Sequence, residues 1–164
     1  MLVFLLILNI LYNTHSAVCQ FAETVKVQGD VLKEHGYFYF KRGEGIRWDY
    51  IGQEKKIFLL ARGKMWEYHP KEGFFRTYEI RRSFWELLQD PGKWKEIVKE
   101  VQGKNGKFFV KLKGGEEILM EVKKNRIRKI SFEDTSFEFH NCRYNISLPS
   151  SLFNPTFLSR VRKK

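Results

Sequence analysis

Cysteine is scarce in this 164-residue chain: Cys19 and Cys142 are the only two. Neither stands in a CxxC or Cys/His spacing, so the sequence encodes no zinc knuckle and no dithiol redox pair. No disulfide framework is expected from it, and if Cys19 leaves with a cleaved leader, Cys142 is a lone thiol, a small buried apolar group. Proline is nearly as rare, with four residues, and no proline-rich linker or internal repeat divides the chain. No apolar run reaches the roughly 20 residues that a membrane-spanning helix requires. Metal and nucleophile motifs are absent around His15, His35, His69 and His140. The glycine-containing turns lack the strand–turn–helix setting of a phosphate loop. These absences argue against an enzyme, and no metal or cofactor is expected.

Aromatic and basic residues are abundant. There are 15 Phe, 7 Tyr and 4 Trp, and 30 Lys+Arg against 19 Asp+Glu give a net charge of +11. Wide flat side chains favour strands, because they pack well on a pleated surface. The positive charge draws the protein to polyanions, nucleic acid or anionic lipid headgroups, but it serves equally as a solubilising surface. Nucleic-acid stacking is disfavoured because the rings of Gly36-Tyr37-Phe38-Tyr39-Phe40-Lys41 fall on both faces of their strand.

Met1 to Leu11 is apolar but for Asn9. With the small residues Ser16-Ala17-Val18-Cys19 after it, this segment reads as a secretory leader cleaved near Ala17 to Cys19, although its start carries no lysine or arginine. Residues 1–19 are therefore assigned to a signal peptide and 20–164 to a single domain. Two alternatives stay open: lipid modification of Cys19, or a buried helix of the mature protein.

From Phe21 onward short apolar runs alternate with turn signals. Strands are expected at Phe21–Lys33, Gly36–Arg42, Ile46–Tyr50, Lys56–Arg62, Lys64–His69 and Phe74–Ile80, and the spacing permits only hairpins. In Ile46-Arg47-Trp48-Asp49-Tyr50 and Met65-Trp66-Glu67-Tyr68 the alternation places the rings on one face, predicting a sheet with one apolar and one wet side.

The pattern changes at Ser83, which with Glu86 forms a capping box ahead of Phe84, Leu87 and Leu88 on one helical face. A second helix is expected from the Asp90 cap and Pro91, with Trp94, Ile97, Val98 and Val101 as its apolar stripe. Strands resume at Lys107–Lys113, Ile118–Val122, Ile127–Asp134, Phe137–His140 and Arg143–Leu148. The apolar phase slips between Phe139 and Tyr144, predicting a bulge near Asn141-Cys142. The fold class is α+β: about eleven strands in one antiparallel sheet with one apolar face, closed by short helices that either pack fully against it as an ordinary core or stand off it over an apolar pocket.

Gly36 to Tyr50, with Lys41-Arg42 and Trp48, resembles the "G-x-hydrophobic-x-hydrophobic-Lys-Arg-Pro…Trp" run of LolA, the periplasmic carrier family of outer-membrane lipoproteins. Gly63-Lys64-Met65-Trp66-Glu67-Tyr68-His69-Pro70 is similar to that family's "Gly-Lys-x-x-Trp-x-Tyr-x-Pro" hairpin, shorter by one residue. Asp134 and Leu148-Pro149…Leu152-Phe153 fit its end, so the likeness spans about Phe21 to Phe153.

The resemblance implies an incomplete antiparallel β-barrel of about eleven strands with a lid of short helices over an apolar cavity, and with it a carrier that takes lipoprotein acyl chains from an ATP-driven, ABC-type inner-membrane releasing complex and passes them to an outer-membrane acceptor. It implies a monomer with no nucleic-acid partner. The cavity would be lined by Ile46, Trp48, Tyr50, Trp66 and Tyr68, and the lid formed by Phe84, Leu87, Leu88, Trp94, Ile97 and Val98. Arg42 would be the latch that hydrogen-bonds the lid shut. Two features depart from the family: Gly43 replaces the proline after Arg42, and the family's first lid helix coincides here with the apolar leader. A lipid-anchored acceptor and a sensor or adaptor that carries no lipid are the alternative readings.

Overall fold

The computed structural model describes residues 2–80, 83–158 and 162–163. The chain opens with helix α1 (Leu2–Tyr12) and then forms a meander of six strands: β1 (Ser16–Val27), β2 (Asp30–Lys41), β3 (Gly45–Tyr50), β4 (Lys56–Ala61), β5 (Lys64–His69) and β6 (Phe74–Glu79). Helix α2 (Phe84–Gln89), a 3-10 turn at Pro91–Lys93 and helix α3 (Trp94–Ile97) follow. The second meander comprises β7 (Val98–Lys104), β8 (Lys107–Leu112), β9 (Glu117–Lys123), β10 (Arg126–Phe132) and β11 (Thr135–Tyr144). Two 3-10 turns, Ser150–Phe153 and Pro155–Leu158, lead to the two-residue β12 (Arg162–Lys163).

Among the described residues all twelve strands form one sheet, ordered β12-β6-β5-β4-β3-β2-β1-β11-β10-β9-β8-β7. Every pairing is antiparallel except β12 on β6. The sheet does not close: β12 and β7 lie at opposite edges. The two meanders meet along β1 and β11, where the chain returns after more than a hundred residues.

Expected and observed elements differ at several places, and one expected strand is missing: Arg143–Leu148 forms no strand of its own, since β11 runs unbroken from Thr135 to Tyr144 and residues 145–149 leave the sheet. The first strand was expected to run to Lys33 and break at Glu34-His35-Gly36. The turn instead lies at Gln28-Gly29, both with positive φ (48° and 86°), which is the geometry that matches hairpin twist. Gly36 sits inside β2, where an added Cβ would lie 1.9 Å from the Asp49 carbonyl oxygen. The glycine serves close strand approach, not a turn.

The second helix was expected to reach Val101. It stops at Ile97, and β-branched Val98 and Val101 enter β7 opposite Leu112 and Val110. Val98 is buried as part of the wall and not the lid. At the start of α2 the capping box does not form. Ser83 makes no side-chain cap, and its hydroxyl is buried without a partner among the described residues. Asp90 does cap its 3-10 turn, accepting from the Gly92 amide at 3.1 Å.

The bulge expected near Asn141-Cys142 is present. Val18 pairs Arg143 and Gln20 pairs His140, so β11 spends one extra residue there, and Asn141 takes a positive φ of 50°. At this slip Cys19 and Cys142 form a disulfide across 123 residues. The expected lone thiol is thus corrected: spacing along the chain says nothing of two cysteines brought together by the seam between the meanders.

Both sheet faces are apolar in part. The inner face carries the main core, with Phe21, Phe38, Ile46, Trp48, Ile130 and Phe139 among its buried residues. The outer face has a smaller cluster of Leu59, Ala61, Leu148 and Phe153, with Trp66 and Tyr39 against it. The C-terminal segment covers this patch and is tied down by hydrogen bonds from Lys41 Nζ to the Leu148 carbonyl (2.8 Å) and from Arg47 Nη1 to the Leu152 carbonyl (3.1 Å).

Candidate functional site: an apolar hollow under three short helices

The inner face is roofed by α1, α2 and α3. Ile7, Ile10 and Leu11 of α1, Phe84 and Leu87 of α2, and Trp94 and Ile97 of α3 are all buried against it. The apolar segment 2–12 thus lies over the sheet as a first roof helix, joined to α3 by an edge contact between Phe4 and Trp94 (5.2 Å between centroids). Leu88 is half-buried and reaches the hollow from the side. None of these helices is long enough to hold its shape alone in water, where isolated helices below about 12–15 residues are marginal. Their stability is borrowed from the apolar surface beneath.

The wall is built from alternate residues of the strands. Ile46, Trp48 and Tyr50 of β3 are buried, at 0%, 2% and 7% exposure. Trp48 touches Phe38 (5.6 Å) and Trp85 (4.8 Å) edge-on, and its indole nitrogen is buried without a hydrogen-bond partner among the described residues. Trp66 and Tyr68 were expected on the same wall, but they are not there. Leu59 pairs Trp66 across β4 and β5, and both point into the outer cluster. Alternation within one strand shows which residues share a face, but only the register between strands tells which face is inner.

Between roof and wall is an apolar cavity of about 60 Å³. Ile10, Leu11, Leu88, Phe38, Ile127 and Phe139 are among the residues that line it. Phe38, Ile127 and Phe139 were not anticipated as lining residues, although the alternation around Phe137 and Phe139 marks an apolar face. Trp85, which falls outside the expected helical stripe, also joins α2 to the wall through Trp48 and Phe137.

Arg42 stands where β2 ends. Its Nη2 donates to the carbonyls of Leu11 and Thr14, the latter at 2.8 Å, and its guanidinium lies 5.5 Å from the Tyr12 ring centroid. Carbonyls at a helix C-terminus lack intrahelical partners and carry the negative end of the dipole, so a guanidinium there is doubly favoured. Burial pushes the Arg42 pKa down from the ordinary arginine value, with Tyr12 opposing that.

At the other end Tyr50 donates to Glu23 at 2.9 Å. Burial raises the Glu23 carboxyl above its usual range, and the Tyr50 hydrogen bond opposes the shift. Burial, together with Glu23, also drives the Tyr50 hydroxyl far upward, so it stays protonated and can donate. Among the described residues no group of three or more His, Cys, Asp or Glu is placed to hold a metal, and no helix is long and apolar enough to cross a membrane.

No protein-family model and no curated protein matches the chain. Solved structures do. A DUF1329-family protein from Desulfovibrio piger superposes with a TM-score of 0.59 at 14% identity, over 94% of this chain and 96% of its own. An uncharacterised conserved protein from Thermus thermophilus gives 0.59 at 10% identity, over 93% of each chain. An outer-membrane lipoprotein-sorting protein domain from Vibrio parahaemolyticus gives 0.53 at 12% identity, over 96% of this chain and 98% of its own. At these identities the likeness is one of fold alone: an open antiparallel sheet roofed by short helices.

Proposed function

We propose that this chain is a periplasmic carrier that shields the acyl chains of lipoproteins released from the inner membrane and delivers them to the outer membrane. The observation that carries this reading is the roof itself: three helices of 11, 6 and 4 residues laid on an apolar wall, over a cavity already open between them. A packed structural core has no need of a roof so weakly self-supporting.

The cavity volume decides the next step. A void of about 150 Å³ is the scale that admits benzene, and 60 Å³ falls well short of it. A chain of that bulk therefore enters only if the roof lifts. Burial of acyl chain is worth about 0.8 kcal/mol per methylene. A bilayer offers the same gain, so extraction requires work from an ATP-driven inner-membrane complex, and release requires an acceptor that binds better. Arg42 is weak enough to act as the latch: a hydrogen bond from a charged donor contributes about 1.5–3 kcal/mol.

In this reading α1 serves as the first roof helix, held in place because Ser16 to Cys19 pair with β2, and Ala17 and Val18 with β11 as well, immediately after it. Cys19 bonded to Cys142 has no free thiol for acylation, which weighs against the lipid-anchored acceptor. The basic surface (+11) favours docking to anionic partners or headgroups.

The test is native mass spectrometry of the full chain mixed with a triacylated lipopeptide and with the same peptide lacking acyl chains. A one-to-one complex with the acylated form alone is expected. Equal or absent binding of the two would sink the carrier reading.

A further inference from the structure

A second arginine, on the far half of the sheet, holds the same elbow as Arg42. Arg126 Nη1 donates to the Thr14 hydroxyl at 2.6 Å and to the Asn13 carbonyl at 3.3 Å. Its guanidinium stacks 4.4 Å from the ring centroid of Tyr144. Thr14 and Tyr144 both line the apolar cavity, so the two arginines stand at its rim.

A third cation joins them. The β9–β10 ladder slips one residue between Ile127 and Lys129, leaving Arg128 as the extra residue. Bulges commonly re-aim a side chain in this way. Arg128 is close enough to Tyr144 to favour its ionised form, though burial dominates and raises the hydroxyl above its ordinary value, keeping it a donor.

The donors at this rim are under-used. Arg42 Nε, Arg128 Nε and the Tyr144 hydroxyl are each buried without a hydrogen-bond partner among the described residues. Among those residues none of the three arginines pairs with a carboxylate. Buried donors without partners are costly, and like charges gathered without an anion repel each other. Both penalties vanish if an anion occupies the rim. Guanidinium forks match the oxygens of carboxylates and phosphates in two-pronged fashion.

We propose that Arg42, Arg126, Arg128 and Tyr144 form a recognition site for the anionic head of a single-chain amphiphile, a carboxylate or a phosphate monoester, whose tail enters the apolar slot beneath α1. The tail's place rests on the carrier reading, and the headgroup is what the inference adds. Recognition is coupled to opening, since the anion takes donors that Arg42 and Arg126 spend on the Leu11, Asn13 and Thr14 oxygens. The elbow of α1 is released by the same event that seats the head.

The experiment compares laurate, dodecyl phosphate and dodecanol as ligands of the full chain by isothermal titration calorimetry. At least a tenfold preference for one or both anions over dodecanol is expected, and which anion binds better identifies the head. In the R126Q/R128Q variant the preference should fall towards unity, and an unchanged far-ultraviolet circular dichroism spectrum reports that the variant is folded. Tyr144→Phe should lower anion affinity alone. Equal binding of all three ligands by the unaltered protein overturns the headgroup site and leaves the carrier standing. Binding of none overturns both.

Discussion

The indole of Trp85, on the roof helix α2, meets that of Trp48, on the wall strand β3, edge-on with 4.8 Å between centroids and 82° between planes. Edge-to-face pairs of this kind add about 0.5–1.5 kcal/mol beyond the area they bury. The contact bridges roof and wall, so lifting the roof would break it. Tryptophan emission is thus a direct report of closure. Binding of an acylated peptide is expected to shift it, and brominated acyl chains are expected to quench it. Replacing Trp48 with alanine should cost about 3–5 kcal/mol in urea unfolding, because the ring is almost wholly enclosed.

Arg42→Ala removes both hydrogen bonds to the end of α1. The expected loss is about 1.5–3 kcal/mol of closure, read as faster hydrogen exchange at the amides of α1 with β8 and β9 unaffected. Lysine at this position should recover only part of it, since a single ammonium cannot spread two donors in a planar fork. Uniform exchange across the whole sheet would show that Arg42 supports the fold in general and not the roof.

The disulfide joins the two meanders at their seam, closing a loop of 123 residues. Chain-entropy arguments place the contribution of such a link at about 2–5 kcal/mol. The Cys19→Ala/Cys142→Ala pair and reduction of the unaltered protein should lower the denaturation midpoint by similar amounts. A link of this kind persists in an oxidising compartment. If reduction leaves the midpoint unmoved, the bond contributes nothing to holding the halves together.

Glu23 carries a pH signature. Its carboxyl is raised above 4.5 in the folded protein, chiefly by burial, so the native state holds that proton more tightly than the unfolded chain. Its contribution is fully present below about pH 4.5 and is lost as pH rises through the folded value. As pH rises above about 4.5 this one group makes stability fall, until the folded carboxyl has ionised. Glu23→Gln keeps an acceptor for Tyr50 and removes the ionisation. The variant's melting temperature should change less across that range, and curves that run parallel to the unaltered protein's would refute the assignment.

Much of this was legible in the chain itself. Local turn chemistry and alternation marked β3 to β6 and β8 to β10 to within a residue or two, because a hairpin is a short-range object. The α2 stripe and the bulge before Arg143 were likewise readable, since each depends on residues a few positions apart. Helix periodicity misled at Val98 and Val101, whose spacing suits a helix but whose partners Leu112 and Val110 lie on the next strand.

What required the tertiary structure shares one physical reason: it depends on which distant strands become neighbours. The pairing of β1 with β11 created the Cys19–Cys142 bond and brought Arg126 to the elbow that Arg42 already held. The register of β4 with β5 turned Trp66 outward while Trp48 stayed within. Composition determined that there would be an aromatic antiparallel sheet with a basic exterior. Only the folded seam decided which of its faces is the hollow, and that its rim is lined with arginines.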